Sequence, residues 1–479
     1  MAYNSDDEDE DMILEGTRLV GDLAVMRLKE QMRYLRDVRR KGSRVSRYGR
    51  RRISRTRVSV EQIYRGLGDN YFRRAYRMTY LSFKRLHEKL APGIERARIQ
   101  SRNYKPKGGR EGGMYSDPPV PNGRITTCVR LACAIRYFAG GSPYDILSKY
   151  GISHTEMLES VWQVTEAVNT LPEFAIRYPE SAEEQRKIAQ GFEKVSTVGF
   201  SNCAGAIDGI LIWIHKPSAA QAKNAGNVCQ SKFLCGRKGK FGLNCQAVSD
   251  VRGRILDIAI PYGGSSADCI AFERSKLFGR CEDGLMKNGN ILFGDNAYLN
   301  TQYMATPYSN VHGNDKEKSK DDYNFYHSQL RIRVECSFGM LVQRWGLLRM
   351  AMPKKLSITR IVAIVNTLAR LHNYCIDETD RNNITEDLET LPLDLQYMME
   401  DDSGYIDMRQ SSTHEVPVPT ELLTASEESA GMDVNERRRH SRANPEGTLP
   451  RKALHDIVRG SAYHRPVPNQ RGSGYTYKT

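Results

Sequence analysis

Apolar residues recur along this chain with two different periods, and the change of period divides it. From about residue 60 to 187 they fall largely three and four residues apart, as at Leu81, Phe83, Leu86 and Leu90, the spacing that gathers them on one side of a helix. Within this stretch 131–138 predicts a buried helix. Residues 142–150 predict a short helix with Pro143 in its first turn, followed by Gly151-Ile152-Ser153 and a further helix through Met157, Val161 and Val164. Helix, glycine turn and Ser-capped helix make a helix-turn-helix signature. The same pattern also suits two ordinary packed helices, because Glu156 and Glu159 stand where a groove reader would carry basic residues.

From residue 196 the period shortens. Segments 205–214, 242–248 and 255–260 predict strands, apolar, partly β-branched and bounded by Gly, Asp or Pro. A helix is expected over 267–278, a short buried strand over 290–293 and a polar loop over 309–322. A long helix follows from about 327 to 350, with Leu330, Val334, Phe338, Leu341, Trp345 and Leu348 as its apolar stripe. A last helix over 361–374 closes the packed region. The expected organisation is an acidic then arginine-rich arm (1–60), a helical, helix-turn-helix-like region (61–195), an α/β domain with a mixed sheet flanked by helices (196–379) and a disordered C-terminal tail (380–479).

Charge narrows the class. The 479 residues carry a formal net charge of +14 and are 39% hydrophobic, so a sizeable core belongs in the middle and a polyanionic partner such as nucleic acid is favoured. The arginine run from Arg33 to Arg57 reads as a DNA-backbone contact, a nuclear-import signal or an inert solvated arm. Acidic residues 6–11 are the opposite of a signal peptide's basic start, and no apolar run is long enough to span a bilayer, so a soluble intracellular protein without a membrane partner is expected. Ten scattered cysteines lack paired zinc-site spacing and read as reduced thiols.

Three acidic residues stand in local patterns that lift them above ordinary turn formers and surface charges. Asp208 follows Ala206-Ile207, Asp295 comes just after Ile291-Leu292-Phe293, and Glu335 is flanked by Val334 and Phe338. Charges this close to apolar neighbours need a compensating partner, and a fold that gathers such carboxylates can share divalent metal ions among them. His327, Arg331 and Glu335 lie four residues apart on one helix face. They allow either a plain Arg331–Glu335 ion pair or an arrangement with Arg331 at a substrate phosphate. Lys232, Arg237, Lys238 and Lys240 precede a strand among adaptable glycines and are candidate phosphate contacts or a surface hairpin, with His215 and Lys216 as similar candidates.

Taken in order, these blocks resemble the Harbinger-type transposases and the nucleases derived from them, within the DDE superfamily of endonucleases, over about residues 71–377. Gly205-Ala206-Ile207-Asp208-Gly209 looks like the first catalytic block. Arg237-Lys238-Gly239 with Asn244 and Gln246 resembles the family's RKG and N-x-Q strand, and Gly264-Ser265 with Asp268 its GS-x-x-D turn. Gly294-Asp295 with Tyr298 and Thr306-Pro307-Tyr308 is similar to the second block; His327-Ser328, Arg331, Val334-Glu335 and Phe338-Gly339 are similar to the third. The resemblance implies an RNase H-like fold in which Asp208, Asp295 and Glu335 bind two Mg²⁺ or Mn²⁺ ions and cut DNA; the arginine run adds the expectation of a nuclear location, with the cytoplasm as a second compartment. Arg237, Lys238, Lys240, Arg331 and His327 would face DNA, Asp268 would support the metal ligands or compete with them as a ligand, and a Myb-like partner protein or self-association could assist. Cys336, Ile210 and Ala267 depart from the family pattern, where a basic residue, Thr and His are usual. They keep open a host-adopted DNA-binding or scaffold protein that does not cut.

Overall fold

A computed structural model describes residues 55–100, 124–226, 229–309, 311, 318–383, 450–461, 463–465, 467–468 and 475–476, all within one unit, Arg55–Thr479. The acidic block and the arginine run up to residue 54 lie outside these residues. Helices come first: α1 (Val60–Tyr76), α2 (Tyr80–Gln100), α3 (Thr127–Phe138), α4 (Pro143–Tyr150), α5 (His154–Thr170) and α6 (Ala182–Val195). Local chemistry sets their ends. Ser59 and Gln62 form a reciprocal capping box on α1, and Ser153 accepts from the Glu156 N–H at the start of α5. Gly151 closes α4 at φ 60°, and a side chain there would strike the Thr56 carbonyl. Of the apolar residues that marked α2, Phe83, Leu86 and Leu90 are buried, whereas Leu81 is 56% exposed.

The sheet begins with β1 (Cys203–Trp213), followed by α7 (Ala219–Asn224), the two-residue β2 (Leu234–Cys235), β3 (Lys240–Ser249) and β4 (Ile255–Gly263). After α8 (Asp268–Glu273) and α9 (Lys276–Glu282) come β5 (Ile291–Phe293) and β6 (Met304–Ala305), then α10 (Lys318–Arg344) and α11 (Ile358–Asn383). β1 pairs antiparallel with β3 and parallel with β5; β4 joins the far side of β3, β6 runs parallel to β5, and β2 extends the start of β3. This mixed sheet flanked by helices has the RNase H-like arrangement.

Alternation along the strands gives each face its own core. Ala206, Ile212, Cys245, Ala247 and Phe293 join the main core with α10 and the helical region, while Ile207, Val248, Leu256 and Leu292 pack with Phe272 of α8 and Leu277 of α9. α5 is enclosed by α2, α3 and α11, and its acidic first turn is held by Arg130 through Glu156 at 3.1 Å.

Element limits differ from the sequence expectation for identifiable reasons. The segment 267–278 is two short helices, broken before Ser275, which caps α9. α10 starts at Lys318, inside the expected polar loop, because Tyr323 and Tyr326 are already buried one turn on. α11 runs past Tyr374 to Asn383, where buried Glu378 is paired with Arg85 of α2. The expected disordered tail contains α12 (Pro450–Gly460), which packs on α10 through Leu454 and Val458.

Candidate active site

Strand register brings the first two acidic residues level. β1 and β5 run parallel with Ala206 opposite Phe293, so two residues further on each chain Asp208 and Asp295 stand side by side. Asp208 shares the face of Ala206, towards α10. There Arg331 lies between the acids: its Nη1 is 3.8 Å from Asp208 Oδ2 and 2.5 Å from Glu335 Oε1, one helical turn away.

The electrostatics follow from this crowding. Burial and the neighbouring charge of Asp295 push the Asp208 carboxyl up to about 7, against the Gly209 N–H that donates to its Oδ1 at 2.7 Å and the Arg331 guanidinium. Burial also raises Asp295, helped by the charge of Asp268 and opposed by the Ala297 N–H, Arg331 and Arg237. The Arg237 charge thus reaches the site from the loop between β2 and β3.

On the opposite face of β1 the other sequence blocks converge under Gly209. Gly209 pairs with Gln246 across the ladder. Asp268 Oδ1 accepts from Asn244 Nδ2 at 2.9 Å and Gln246 Nε2 at 3.0 Å, Gln246 Nε2 also reaches Asn244 Oδ1 at 2.7 Å, and the Tyr298 hydroxyl donates to Gln246 Oε1. A Cβ on residue 209 would sit 2.6 Å from Gln246 Nε2 and closer still to the Asp268 carboxylate. Asp268 is therefore a structural neighbour behind the strand that carries Asp208.

The remaining candidates separate. Lys240 is exposed, with its ammonium 3.5 Å from the centre of the Trp213 ring, and Arg237 is exposed. Lys238 is half-buried, and Lys216 lies over Phe241 at 5.9 Å. Arg331 is committed to the two acids, so a phosphate would compete with them. His327, expected at DNA, has no exposed surface: it stacks on Phe293 at 4.7 Å, its Nε2–H donates to the Ala305 carbonyl at 3.1 Å, and burial holds its pKa down to about 3. It is a core side chain, because four residues before Arg331 the helix face has already passed under the sheet. Trp213 as a platform for Lys240 was missed; the register that sets Trp213 beside Gly242 is a tertiary fact.

Asp208, Asp295 and Glu335 form an oxygen-only donor set of the kind hard divalent cations take, and the crowding of Asp208 against Asp295 suits a cation between them. As placed, with Arg331 among them, no three His, Cys, Asp or Glu side chains among the described residues stand close enough to hold one ion. Among those residues no helix is long and apolar enough to cross a membrane.

Residues 207–373 match the family model described as DDE superfamily endonuclease. The chain is also similar to proteins named "Putative nuclease HARBI1": 26% identity to the human protein over 235 residues, 49% of this chain and 62% of that one. To the mouse protein the identity is 25% over 274 residues, 56% of this chain and 72% of the relative, and to that of Xenopus laevis 23% over 277 residues, 55% and 74%. The chain thus spans less than two thirds of the human relative's length. No solved structure matches.

Proposed function

We propose, from the premise that this chain carries a DDE superfamily endonuclease domain over residues 207–373, that it cuts DNA phosphodiester bonds at the Asp208–Asp295–Glu335 site. The observation that carries the reading is the parallel register that levels Asp208 with Asp295 on the sheet face turned towards Glu335 of α10. Divalent ions bound there, Mg²⁺ or Mn²⁺ and two in number, would supply the charge that activates a water or a DNA 3′-hydroxyl and steadies the leaving oxygen. The chain's own groups do the rest. Arg331 neutralises Asp208 and Glu335 until cations take over that task and then faces the phosphate. Arg237, Lys238 and Lys240 grip the backbone beside Asp295, and the Gly209–Gln246–Asp268 contacts fix the strand.

A second reading, a DNA-binding protein that does not cut, draws support from the Arg331 ion pairs, which balance two of the acids without any metal. One experiment separates them. Purified protein with Mn²⁺ and duplex DNA carrying candidate terminal repeats should nick the substrate, and Asp208→Ala should not. Equal cleavage by both proteins defeats the nuclease assignment to this site, whereas binding without cleavage and without metal dependence favours the second reading. Work in the nucleus and with a Myb-like partner belongs to the same proposal.

A further inference from the structure

The first turns of α10 and the nearby Tyr308 form a face that the chain covers with its own C-terminal segment. α12 presents Arg451, Leu454 and Val458, three and four residues apart, on one side. Leu454 and Val458 are buried, and Arg451 lies over the Tyr308 ring at 4.4 Å while donating to the Pro307 carbonyl at 3.4 Å. Beyond the helix, Asp322, only 3% exposed, takes the His464 Nδ1–H at 3.0 Å and the Arg465 N–H at 2.7 Å. The Arg465 guanidinium meets Asp321 at 2.9 Å, and the Tyr326 hydroxyl donates to the His464 carbonyl at 2.8 Å. A buried carboxylate needs compensation, and here it comes from residues about 140 positions away in sequence.

The same contact continues inward as a column of rings. His455 lies 5.2 Å from Tyr308, Tyr308 5.4 Å from Tyr323, Tyr323 5.5 Å from His327, and His327 4.7 Å from Phe293. Phe293 precedes Asp295 by two residues, and α10 carries Glu335 two turns past His327. We propose that residues 450–465 are a separable latch: the face made by α10 and Tyr308 is a docking site for an amphipathic helix followed by a His-Arg strap, and seating that segment holds β5 and α10 in place. Its consequence for the acids rests on the metal reading above.

The test uses the full chain. Leu454→Asp with Val458→Asp unseats the helix without changing any residue of α10. A labelled peptide of residues 450–465 should bind this variant about 10-fold tighter or more than it binds the wild-type chain, whose tethered segment competes at high effective concentration. The variant's Tm should fall by about 3 °C or more. Should the aspartate pair fail to fold by circular dichroism, Leu454→Ala with Val458→Ala carries the same comparison. Equal peptide binding by both proteins, or an unchanged Tm, overturns the latch. The rise in Tm caused by Mn²⁺ should shrink in the variant; an equal rise in both proteins overturns the link to the acids. A wild-type chain that shows no rise defeats the metal reading, and the peptide comparison then decides the latch by itself.

Discussion

Replacing Gly209 by alanine tests the point where four sequence blocks meet. Asp208 precedes it, Gln246 lies opposite, and Asp268 and Tyr298 complete the polar cluster behind it. The added Cβ would fall 2.6 Å from Gln246 Nε2 and 3.0 Å from Asp268 Cγ, so both side chains must move. Their movement strains the two bonds to Asp268 and the Tyr298–Gln246 bond, each worth about 0.5–1.5 kcal/mol net. Overpacking adds about 1–3 kcal/mol. Alanine also restricts the unfolded chain, a gain of at most about 1 kcal/mol. The losses win, and Gly209→Ala should cost about 2–4 kcal/mol in urea unfolding followed by far-UV circular dichroism. A double-mutant cycle isolates the cause. Asp268→Ala alone leaves Asn244 and Gln246 short of an acceptor, but it opens the space the new methyl needs. The combined variant should therefore be less destabilised than the sum of the two by about 1 kcal/mol or more. Strict additivity, or a Gly209→Ala protein within about 0.5 kcal/mol of wild type, refutes the close approach.

Three further outcomes are expected. Arg331→Met removes the cation between Asp208 and Glu335, so the metal-free Tm should drop while the Tm gain on adding Mn²⁺ grows; a gain no larger than wild type's would show that Arg331 and the ion do not compete. His327 stays neutral in the folded chain, with a pKa pushed down to about 3, whereas the unfolded chain protonates near ~6.5. The stability linked to the neutral ring is full above that pH and is lost as pH falls, by about 3 kcal/mol at pH ~4.5. His327→Phe should flatten the stability profile in this window, and parallel profiles would contradict it. Arg237→Ala with Lys240→Ala should reduce the slope of log binding constant against log salt for duplex DNA by about two; an unaltered slope removes this loop from the DNA contact.

Much of the architecture was legible from periodicity. The strands around Asp208 and before Asp295, the apolar stripe Leu330–Val334–Phe338–Leu341 and the Ser-capped α5 all lie where their residue patterns put them, because each pattern rests on neighbours two to four positions away. The start of α10 did not follow the same logic. Lys318 to Asp322 have no apolar rhythm of their own, and what stabilises them is a segment more than a hundred residues downstream. The same cause hid α12, an isolated amphipathic turn in a polar tail until α10 gives it a surface.

The chemistry divides in the same way. The apolar context of each residue made Asp208, Asp295 and Glu335 candidates, and alternation alone sets Asp208 and Ala206 on one strand face, since side-chain direction along a strand is a local property. Only the tertiary structure decided that Arg331 lies among the acids, that His327 turns into the core against Phe293, and that Asp268 stands behind Gly209. Those outcomes depend on the register between strands and on how far α10 slides along the sheet, quantities set by packing between segments distant in the chain and written in no single stretch of it.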